Sequence, residues 1–485
     1  MLLGLDLGTT AVKAVVLDPQ RGIGASGSLP NQPASPHPGW SEQDAGAWLA
    51  NALALIPRVC ADAGIQPEAV AGVGVAGCVP CVILLDEDDE PLRPALLYND
   101  ARAHAEIEEL SAELDPAEVL RRTGAGVTQQ SVGPKLRWLQ RHEPEAWART
   151  ARIAGSYDWL AGVLADAEFS ERNWALESGL YDLGDDDYAP DLCAAAGIER
   201  GMLGPIRDPR QVIGGISADV ARLTGLAEGI PVVAGLADHV SSAFAAGLAE
   251  HGDLLVKLGG SVDVLACSDR PLLDARLYLD AHPSPGLWLP NGCMASGGSG
   301  VRWFQRELAG GAALHVLDAE AAATPPGAAG IVMLPYLLGE KTPVNDPLAR
   351  GAIVGLSLAH GRGHVFRALL ESFAYGVRHH LEVLAEHGVR PTRARVTNGG
   401  ASSALWKQIV ADVTGLVLEP VVDHPGSALG AAYAAGMGTG AFAEWTEIAR
   451  FVALAEPIVP RPATAEVYDV RYRAYRALYG ALTAA

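Results

Sequence analysis

Two stretches of this chain, about half its length apart, repeat one short pattern. Residues 2–18 and 256–269 each contain an apolar strand-like run, then Leu-Gly with small or hydroxyl residues, then a second apolar run ending in Asp; they align without gaps. Turns of this kind let backbone N–H groups and hydroxyls approach phosphate oxygens. Either copy alone is equally compatible with an ordinary surface hairpin. The repetition, however, predicts a duplicated domain in which the two hairpins face one cleft.

The chain is long enough to be divided in this way. Its 485 residues can form two or three domains with large cores, and we place the boundary between residues 1–247 and 248–485. Hydrophobic residues make up 49% of the chain and charged residues 19%, proportions that indicate a globular protein and not a disordered one.

Charge and the apolar runs limit the partners and the location that we expect. A formal net charge of −21 argues against nucleic acid or an anionic membrane as a partner, and it means that a phosphate ligand needs local donors. Five residues precede Asp6, which leaves no room for a signal peptide. The longest uncharged run, residues 281–301, contains three prolines and is not a membrane span. We therefore expect a cytoplasmic protein.

Two carboxylates stand at the ends of strand-like runs. Asp6 comes just before the first turn, where a carboxylate can hold the magnesium ion that accompanies a bound phosphate. Asp238 ends the buried run at residues 230–237 and precedes a small-residue helix. A carboxylate in that position is expected at the floor of a cleft, where it can act as a general base. The alternative is that Asp238 merely caps the helix; we favour the base.

Two further glycine-rich turns follow in the second half of the chain. Residues 294–300 form a loop before a helix that carries Arg302, and residues 398–403 connect a strand at 394–397 to another helix. A glycine turn at a helix N-terminus can hold a nucleotide phosphate or ribose. One such turn is weak evidence, but this chain contains several.

Two short motifs in the first half each have two interpretations. Cys78-Val79-Pro80-Cys81 has the spacing of a redox pair or half a zinc site, but no second close Cys/His pair accompanies it, so packing against a pocket is favoured. Asp100 and Arg102 follow an apolar run. They either hold a polyol through paired hydrogen bonds or form a surface ion pair.

Local patterns also predict individual elements. These are a helix capped by Ser41 or Asp44 and ending near Ala63, strands at 70–76 and 82–85, mostly helical structure at 103–164 with helix starts at Pro134 and Pro144, a solvated acidic loop at 182–191, and a long helix at 363–387. Four tyrosines mark one face of a C-terminal helix, which is more typical of packing than of function; they are Tyr468, Tyr472, Tyr475 and Tyr479.

The motifs together resemble those of the FGGY carbohydrate kinases, and within them the xylulokinases, over nearly the whole chain. The order and spacing of the matching stretches make this resemblance specific; they are residues 4–10, 37–44, 98–102, 134–138, 235–238, 335–343 and 399–401. The resemblance implies an α/β fold with two actin-like (ribonuclease H-like) domains flanking a cleft where ATP and a sugar meet.

The resemblance also implies a role for each matching residue. Asp238 is similar to the general base that takes a proton from the sugar hydroxyl, and Asp6 resembles the carboxylate that holds Mg²⁺, with Asp238 beside it. The implied nucleotide-binding residues are Gly8, Thr9, Thr10, Lys13, Gly259, Gly260, Ser261, Gly298, Arg302, Gly399, Gly400 and Ala401. The implied sugar-pocket residues are Val79, Pro80, Asp100, Arg102, Asp238 and His239.

Several residues depart from the xylulokinase pattern. Xylulokinases typically have Gln-Met-His-Gly where this chain has residues 78–81, so Pro80 replaces a histidine and offers no side-chain donor. His239 stands where asparagine is usual after the base, and it can restore a donor from another direction. Gly260 replaces a threonine of the second turn, and Ala404 replaces an asparagine of some members. Relocated donors are expected to change which sugar fits.

The function that this reasoning favours is ATP-dependent phosphorylation of a primary hydroxyl of a ketopentose, with D-xylulose first. Other ketoses or sugar alcohols, such as ribulose, L-xylulose or glycerol- or erythritol-like polyols, remain alternatives within the class. From other classes, we also consider a catalytically weak sugar sensor and an actin-like ATPase, although neither role needs a base at the position of Asp238. ATP and Mg²⁺ are the expected cofactors, and a homodimer is the expected assembly.

Overall fold

The computed structural model describes residues 1–424 and 426–483, in which strands and helices alternate. The strands are β1 Leu2–Leu7, β2 Ala11–Asp18, β3 Gly22–Pro30, β4 Glu42–Gln43, β5 Gly72–Gly77, β6 Ile83–Leu85, β7 Ala95–Leu96, β8 Arg152–Ala154, β9 Ser170–Glu171, β10 Tyr181–Asp182, β11 Asp187–Tyr188, β12 Ile206–Arg207, β13 Val212–Gly215, β14 Pro231–Val233, β15 Leu236–Ala237, β16 Leu254–Leu258, β17 Val262–Ala266, β18 Tyr278–Ala281, β19 Trp288–Met294, β20 Val332–Leu334, β21 Ala352–Val354, β22 Arg393–Thr397, β23 Val417–Val422 and β24 Ala453–Leu454. The helices are α1 Ala45–Asp62, α2 His104–Glu113, α3 Pro116–Thr123, α4 Val132–His142, α5 Pro144–Ala148, α6 Ser156–Ala165, α7 Arg172–Glu177, α8 Pro190–Ala195, α9 Ala218–Thr224, α10 Asp238–Ala245, α11 Gly298–Trp303, α12 Leu314–Ala322, α13 Arg362–Glu386, α14 Ala404–Thr414, α15 Ser427–Thr439 and α16 Ala465–Thr483.

The first half of the chain is built around a mixed sheet with the strand order β13-β14-β5-β1-β2-β3. The central strand β1 pairs antiparallel with β2 and parallel with β5, which in turn pairs parallel with β14. All residues of β1 are buried, which explains its nearly continuous apolar sequence. Asp6 is the polar exception, near the end of the strand.

The second half repeats this arrangement. In its sheet, of order β18-β19-β17-β16-β22-β23-β24, the central strand β16 pairs antiparallel with β17 and parallel with β22. The strand β22 pairs parallel with β23, as β5 does with β14. The sequence repeat therefore corresponds to a structural repeat, in which one hairpin starts each sheet.

The two hairpins differ by one residue in the turn, so the gapless alignment is wrong beyond this point. Leu7 pairs with Val12 across four turn residues, whereas Leu258 pairs with Val262 across three. This shift places Lys13 opposite Asp6 in the first hairpin and Asp263 opposite Lys257 in the second. The carboxylate and the ammonium group thus exchange strands between the two copies.

Helix α15 comes from the second half of the chain but packs on the first sheet, against β1 and β5. The approach is close because small residues meet there. A β-carbon at Gly4 would lie 1.9 Å from the Ala428 carbonyl oxygen, and one at Gly74 would lie 2.1 Å from that of Ala431. Residues of α15 accordingly belong to the first hydrophobic core. The two halves are therefore joined by packing as well as by the chain.

Most of the predicted elements are confirmed, with small shifts. Asp44 is the N-cap of α1 and accepts from the Gly46 amide, and the long helix α13 lies within one residue of its predicted bounds. Pro144 begins α5, whereas Pro134 is the third residue of α4. The tyrosine face of α16 packs as expected, because Tyr468, Tyr472 and Tyr475 are buried.

The acidic segment at 182–191 is only in part the solvated loop that the sequence predicts. Residues 184–187 are exposed, but they join the short strands β10 and β11 of a hairpin. Asp182 and Asp191 both accept from the Arg122 guanidinium, at 2.6 Å each. These ion pairs were not predicted because Arg122 lies about 60 residues away in sequence, where a local pattern gives no sign of it.

Candidate active site

A cavity of about 260 Å³ lies between the two halves of the chain, and we call it the cleft cavity. The first half contributes Val79, Tyr98, Glu177, Asp238 and His239 to its lining. The second half contributes Lys257, Ser261, Asp263, Asp280 and Lys341. Acidic and basic side chains from both sheets thus meet in one place.

Asp6 is buried near the end of β1. Its Oδ2 lies 3.6 Å from the Lys13 Nζ, but its Oδ1 is buried and has no hydrogen-bond partner among the described residues. Burial and, after it, the charge of Asp238 raise the pKa of Asp6 to about 7, although Lys13 and Lys257 act in the opposite direction. An unpaired buried carboxylate oxygen is costly unless a ligand satisfies it.

Asp238 is the first residue of α10, directly after β15. Its Oδ1 accepts from the next amide, that of His239, at 2.6 Å, and its side chain lines the cleft cavity. The backbone carbonyl accepts from the Ser427 hydroxyl at 2.9 Å, so the start of α15 holds this residue in place. The N-cap residue of α10 is Ala237. Helix capping alone therefore does not account for Asp238.

The two predicted catalytic carboxylates act on each other electrostatically. The charge of Asp238 is among the causes that raise the pKa of Asp6, and both residues lie at the same edge of the first sheet, because Leu7 and Ala237 each pair with Gly77 of β5. Lys13 and Lys257, one from each hairpin, also both lower the pKa of His424, which burial holds at about 4. The two hairpins therefore approach each other from opposite halves of the chain.

The first turn, at residues 8–10, is stabilised by a hydrogen bond from the Asn31 side chain. The Gly8 amide donates to the Ala11 carbonyl at 3.0 Å, and Asn31 Nδ2 donates to the Gly8 carbonyl at 2.8 Å. Thr9 shares a hydrogen bond with Tyr98, which lines the cleft cavity. Thr10 and Lys13 are exposed and accessible to an anion.

The second turn is braced by the start of α11. The Gly298 amide donates to the Gly259 carbonyl at 2.7 Å, and the Ser299 amide donates to the Gly260 carbonyl at 3.0 Å. A β-carbon at Gly298 would lie 2.7 Å from the Gly259 carbonyl oxygen, which explains the glycine there. Arg302 lies close to this turn, because its Nη2 would be 3.8 Å from a β-carbon at Gly260.

The third turn packs directly on the second. A β-carbon at Gly400 would lie 2.7 Å from the Leu258 Cβ and 2.5 Å from the Trp406 ring, whereas one at Gly399 would meet nothing within 4 Å. Asn398 has a φ of 71°, and its Nδ2 would be 3.0 Å from a β-carbon at Gly259. Ala401 follows in the same turn, with its amide donating to the Asn398 carbonyl at 2.9 Å. The structure thus brings the predicted nucleotide-side residues of the second half together.

The motif at residues 78–81 is buried beside the cavity. Val79 lines the cleft cavity, but Pro80 is not among the described residues that do. The Sγ atoms of Cys78 and Cys81 are 3.3 Å apart, and both thiols are free. The hydrogen bond with Cys81 and, after it, burial hold the pKa of Cys78 well above its usual value. This environment favours the packing interpretation of the motif.

Asp100 and Arg102 form a buried ion pair, which contradicts the predicted sugar contact. Arg102 donates through Nε and Nη2 to the two oxygens of Asp100, at 2.8 Å each. The same guanidinium stacks 3.8 Å above the Trp40 ring and lies 2.7 Å from Glu42. Asp100 also accepts from the Ser41 amide at 2.6 Å. The pair therefore fastens the 98–102 segment to the start of α1, and it is not the surface ion pair of the alternative either.

Three side chains form a cluster beside Asp238. Of these, only His239 was predicted from the sequence. His239 Nε2 donates to Asp280 Oδ2 at 2.7 Å and lies 3.9 Å from Glu177 Oε1. Burial lowers the pKa of His239, but Asp280, Asp238 and Glu177 outweigh it and raise that pKa well above its usual value. Asp280 could have been recognised in the sequence as a carboxylate inside the apolar strand β18. No local sequence pattern indicates Glu177.

The site contains oxygen donors suited to Mg²⁺. A cation would satisfy the buried Oδ1 of Asp6, which has no hydrogen-bond partner among the described residues. Asp238 faces the cleft cavity. Among the described residues, one further group, Glu177, His239 and Asp280, has ligand atoms all within 4.8 Å of one another.

A duplicated sheet-and-hairpin core with carboxylates in the cleft between its halves defines the class of the actin-like phosphotransferases. Family comparison makes the assignment specific: residues 1–245 match the N-terminal domain of the FGGY family of carbohydrate kinases and residues 254–439 match its C-terminal domain. The chain belongs to the FGGY family of carbohydrate kinases. The predicted family, the α/β fold with two actin-like domains and the carbohydrate kinase activity are thereby confirmed.

Individual relatives extend over the whole chain. The crystal structure of xylulose kinase from Rhodospirillum rubrum is 43% identical and superposes with a TM-score of 0.95, covering 99% of both chains. The xylulose kinase of Escherichia coli is 29% identical over 99% of this chain and 98% of its own. The L-xylulose/3-keto-L-gulonate kinase of Escherichia coli is also 29% identical, over 99% of this chain and 97% of its own.

No helix in residues 1–424 and 426–483 combines the length and the apolar character needed to cross a bilayer.

Proposed function

We propose that this protein transfers the γ-phosphate of ATP to a primary hydroxyl of a ketopentose, with D-xylulose as the leading substrate. Whole-length similarity to proteins named xylulose kinase supports the choice of sugar. The single observation that supports the proposal is that Asp6 and Asp238 lie at the same edge of the first sheet, where Asp238 lines a cleft that receives side chains from both halves.

The site residues provide the groups that phosphoryl transfer requires, namely a base, phosphate-binding turns and positive charge. Asp238 takes the proton of the attacking hydroxyl, because its carboxylate faces the cavity and keeps one oxygen free of the backbone contact. The turns at residues 8–10 and 259–261 hold the phosphates through amides and hydroxyls, with Lys13 and Arg302 adding positive charge. Positioning and charge neutralisation suffice for this chemistry.

Asp6 and Asp238 would hold Mg²⁺, which neutralises negative charge on the phosphates when it is bound. The remaining nucleotide-side residues support the phosphates from the second half. They are Gly298, Gly399, Gly400 and Ala401, whose turns pack on the second hairpin. On the sugar side, Val79 and His239 both line the cavity, and His239 Nε2 donates to Asp280 there.

The test measures ADP release with a panel of ketoses and polyols, including D-xylulose, L-xylulose, ribulose, erythritol and glycerol. We expect release that depends on D-xylulose and falls at least about 100-fold in Asp238→Asn and Asp6→Asn. An exposed matched variant, Asp62→Asn, keeps the wild-type rate. Sugar-independent release would identify an actin-like ATPase, and sugar binding without release would identify a sensor; either result contradicts the proposal.

A cytoplasmic location and a homodimeric state complete the proposal. Neither is part of the catalytic argument, since each half of the cleft cavity comes from the same chain. Light scattering coupled to size-exclusion chromatography measures the assembly state directly.

A further inference from the structure

The three side chains Glu177, His239 and Asp280, which we call the acid–imidazole cluster, meet where the two halves of the chain join. Glu177 ends α7, His239 lies in the first turn of α10, and Asp280 belongs to β18. Helix α7 is fixed to β18 by Asn173, whose amide side chain donates to the Ala281 carbonyl at 3.0 Å and accepts from the Ala281 amide at 2.7 Å. The cluster is therefore a built feature of the fold, and all three members line the cleft cavity.

Hydrogen bonding within the cluster engages its donors and leaves acceptors free. His239 Nε2 donates to Asp280 Oδ2, and its Nδ1 lies 3.5 Å from Asp238 Oδ1. Asn291 Nδ2 also donates to Asp280 Oδ2, at 2.6 Å. Asp280 Oδ1 and Glu177 Oε1 are buried, and neither has a hydrogen-bond partner among the described residues.

Asp280 is the decisive member, since only 1% of its surface is exposed. A buried carboxylate oxygen without a partner is unfavourable, and a hydroxyl of a bound substrate would satisfy it. A carboxylate of a substrate cannot donate to it and would add a negative charge beside Asp280 and Asp238. The imidazole offers such a carboxylate no hydrogen bond, because both of its nitrogens already face carboxylates.

We propose that Glu177 and Asp280, oriented by His239, form a recognition site for uncharged hydroxyl groups of the sugar and exclude sugar acids. This inference rests on the proposed function and names the substrate class of the same cavity. Because His239 separates Asp280 from Asp238, the recognised hydroxyls belong to the part of the sugar beyond the reacting one. Lys341 also lines the cavity, and its Nζ lies 4.0 Å from Cys293 Sγ. The variants described below keep this lysine.

The experiment compares Asp280→Asn and Glu177→Gln with the wild type, because each variant replaces a carboxyl group by an amide and keeps the side-chain shape. KM and kcat are measured for D-xylulose, for its deoxy analogues and for 3-keto-L-gulonate. We expect the KM for D-xylulose to rise about tenfold or more, with a much smaller change in kcat. The preference in kcat/KM for D-xylulose over 3-keto-L-gulonate is expected to fall by at least about tenfold.

Deoxy analogues provide a readout that a merely structural role would not move. Removal of the recognised hydroxyl should weaken binding to the wild type by about tenfold or more, but have little further effect in Asp280→Asn. Asp166→Asn, at an exposed position outside the cavity with a φ of 49°, makes the same chemical change and should leave all these values unchanged. Calorimetric binding of the same sugars covers the case in which turnover is absent.

Three results would overturn the inference. The first is an unchanged preference between D-xylulose and 3-keto-L-gulonate in both variants. The second is an equal loss on all substrates and analogues. The third is stoichiometric binding of Zn²⁺ or Mn²⁺ alone, without nucleotide, that disappears in the variants, since the cluster would then be a cation site. Failure of the proposed function is distinct, because it appears as absent phosphorylation by the wild type.

Discussion

Burial keeps the imidazole of His380 neutral and fixes which of its nitrogens donates and which accepts a hydrogen bond. His380, on α13, is fully buried; its Nδ1 donates to the Gly376 carbonyl at 2.8 Å, and its Nε2 accepts from the Thr342 hydroxyl at 3.1 Å. Thr342 in turn accepts from the Cys293 amide at 2.7 Å, which fixes a residue that lines the cleft cavity. A neutral imidazole is required for this chain of bonds.

The buried histidine predicts a specific pH dependence of stability. Burial lowers the pKa of His380 from about 6.5 to about 4. Below pH 6.5 the unfolded chain therefore takes up a proton that the folded chain refuses, so the contribution of His380 to stability is present above pH 6.5 and is lost as the pH falls towards 4. We expect His380→Gln to be less stable than the wild type at pH 7.5 and to recover roughly 2–3 kcal/mol relative to it by pH 4.5.

Denaturant unfolding of both proteins at several pH values measures this difference. His315→Gln, at an exposed position, serves as the control and should show a constant difference from the wild type. A constant difference for His380→Gln as well would contradict the neutral-imidazole interpretation.

Site residues could be predicted from the sequence where the neighbouring residues in the chain indicate the structure around them. Asp6 and Asp238 were found because strand ends and turns are visible as runs of apolar and small residues. Arg102 was misinterpreted because its partners Glu42 and Trp40 lie about 60 residues away in the chain. Asp280 and Glu177 meet only through the packing of α7 on β18, and such contacts leave no trace in a local pattern.

At the scale of elements, the sequence repeat predicted both sheets because each hairpin begins one. The one-residue difference between the turns was not visible, since small residues of either turn can be aligned with those of the other. It matters because it decides which side chain lies opposite which: Lys13 opposite Asp6, but Asp263 opposite Lys257. The packing of α15 on the first sheet was also not predicted, because the sequence of a helix rich in small residues does not indicate which surface it packs on.

The packing of the third turn on the second hairpin can be tested with a matched pair of glycines. A β-carbon at Gly400 would collide with Leu258 and Trp406, whereas one at Gly399 has open space. We expect Gly400→Ala to destabilise the protein by about 1–3 kcal/mol, as overpacking does elsewhere, and to raise the KM for ATP more than the KM for the sugar. Gly399→Ala should change neither the stability nor the KM for the sugar.

Chemical denaturation and steady-state kinetics measure both effects. Equal behaviour of the two variants would show that the third turn does not rest on Leu258 as described.

At the scale of the whole molecule, the cleft cavity is completed by both halves, and α15 decides how they can move. The Ser241 hydroxyl donates to the Ser427 carbonyl at 2.7 Å, and the Ser427 hydroxyl donates to the Asp238 carbonyl. Helix α15 is thus fastened to the first sheet at the floor of the cleft. Any closure must therefore turn the second sheet about the connections at either end of α15 and between α10 and β16.

Sugar binding is expected to close the cleft, because a polyol that contacts Asp238 and Asp280 joins the two halves, and exclusion of water protects the γ-phosphate from hydrolysis. A compact chain of this length has a radius of gyration of roughly 23 Å, and we expect it to decrease by about 1 Å when D-xylulose and a non-hydrolysable ATP analogue are added together. Small-angle X-ray scattering measures the change. Sucrose at the same concentration provides the control for a general solvent effect and should leave the profile unchanged. Superimposable profiles with and without D-xylulose would mean that the halves are already closed, and the protection of the γ-phosphate would then have to come from the cavity walls alone.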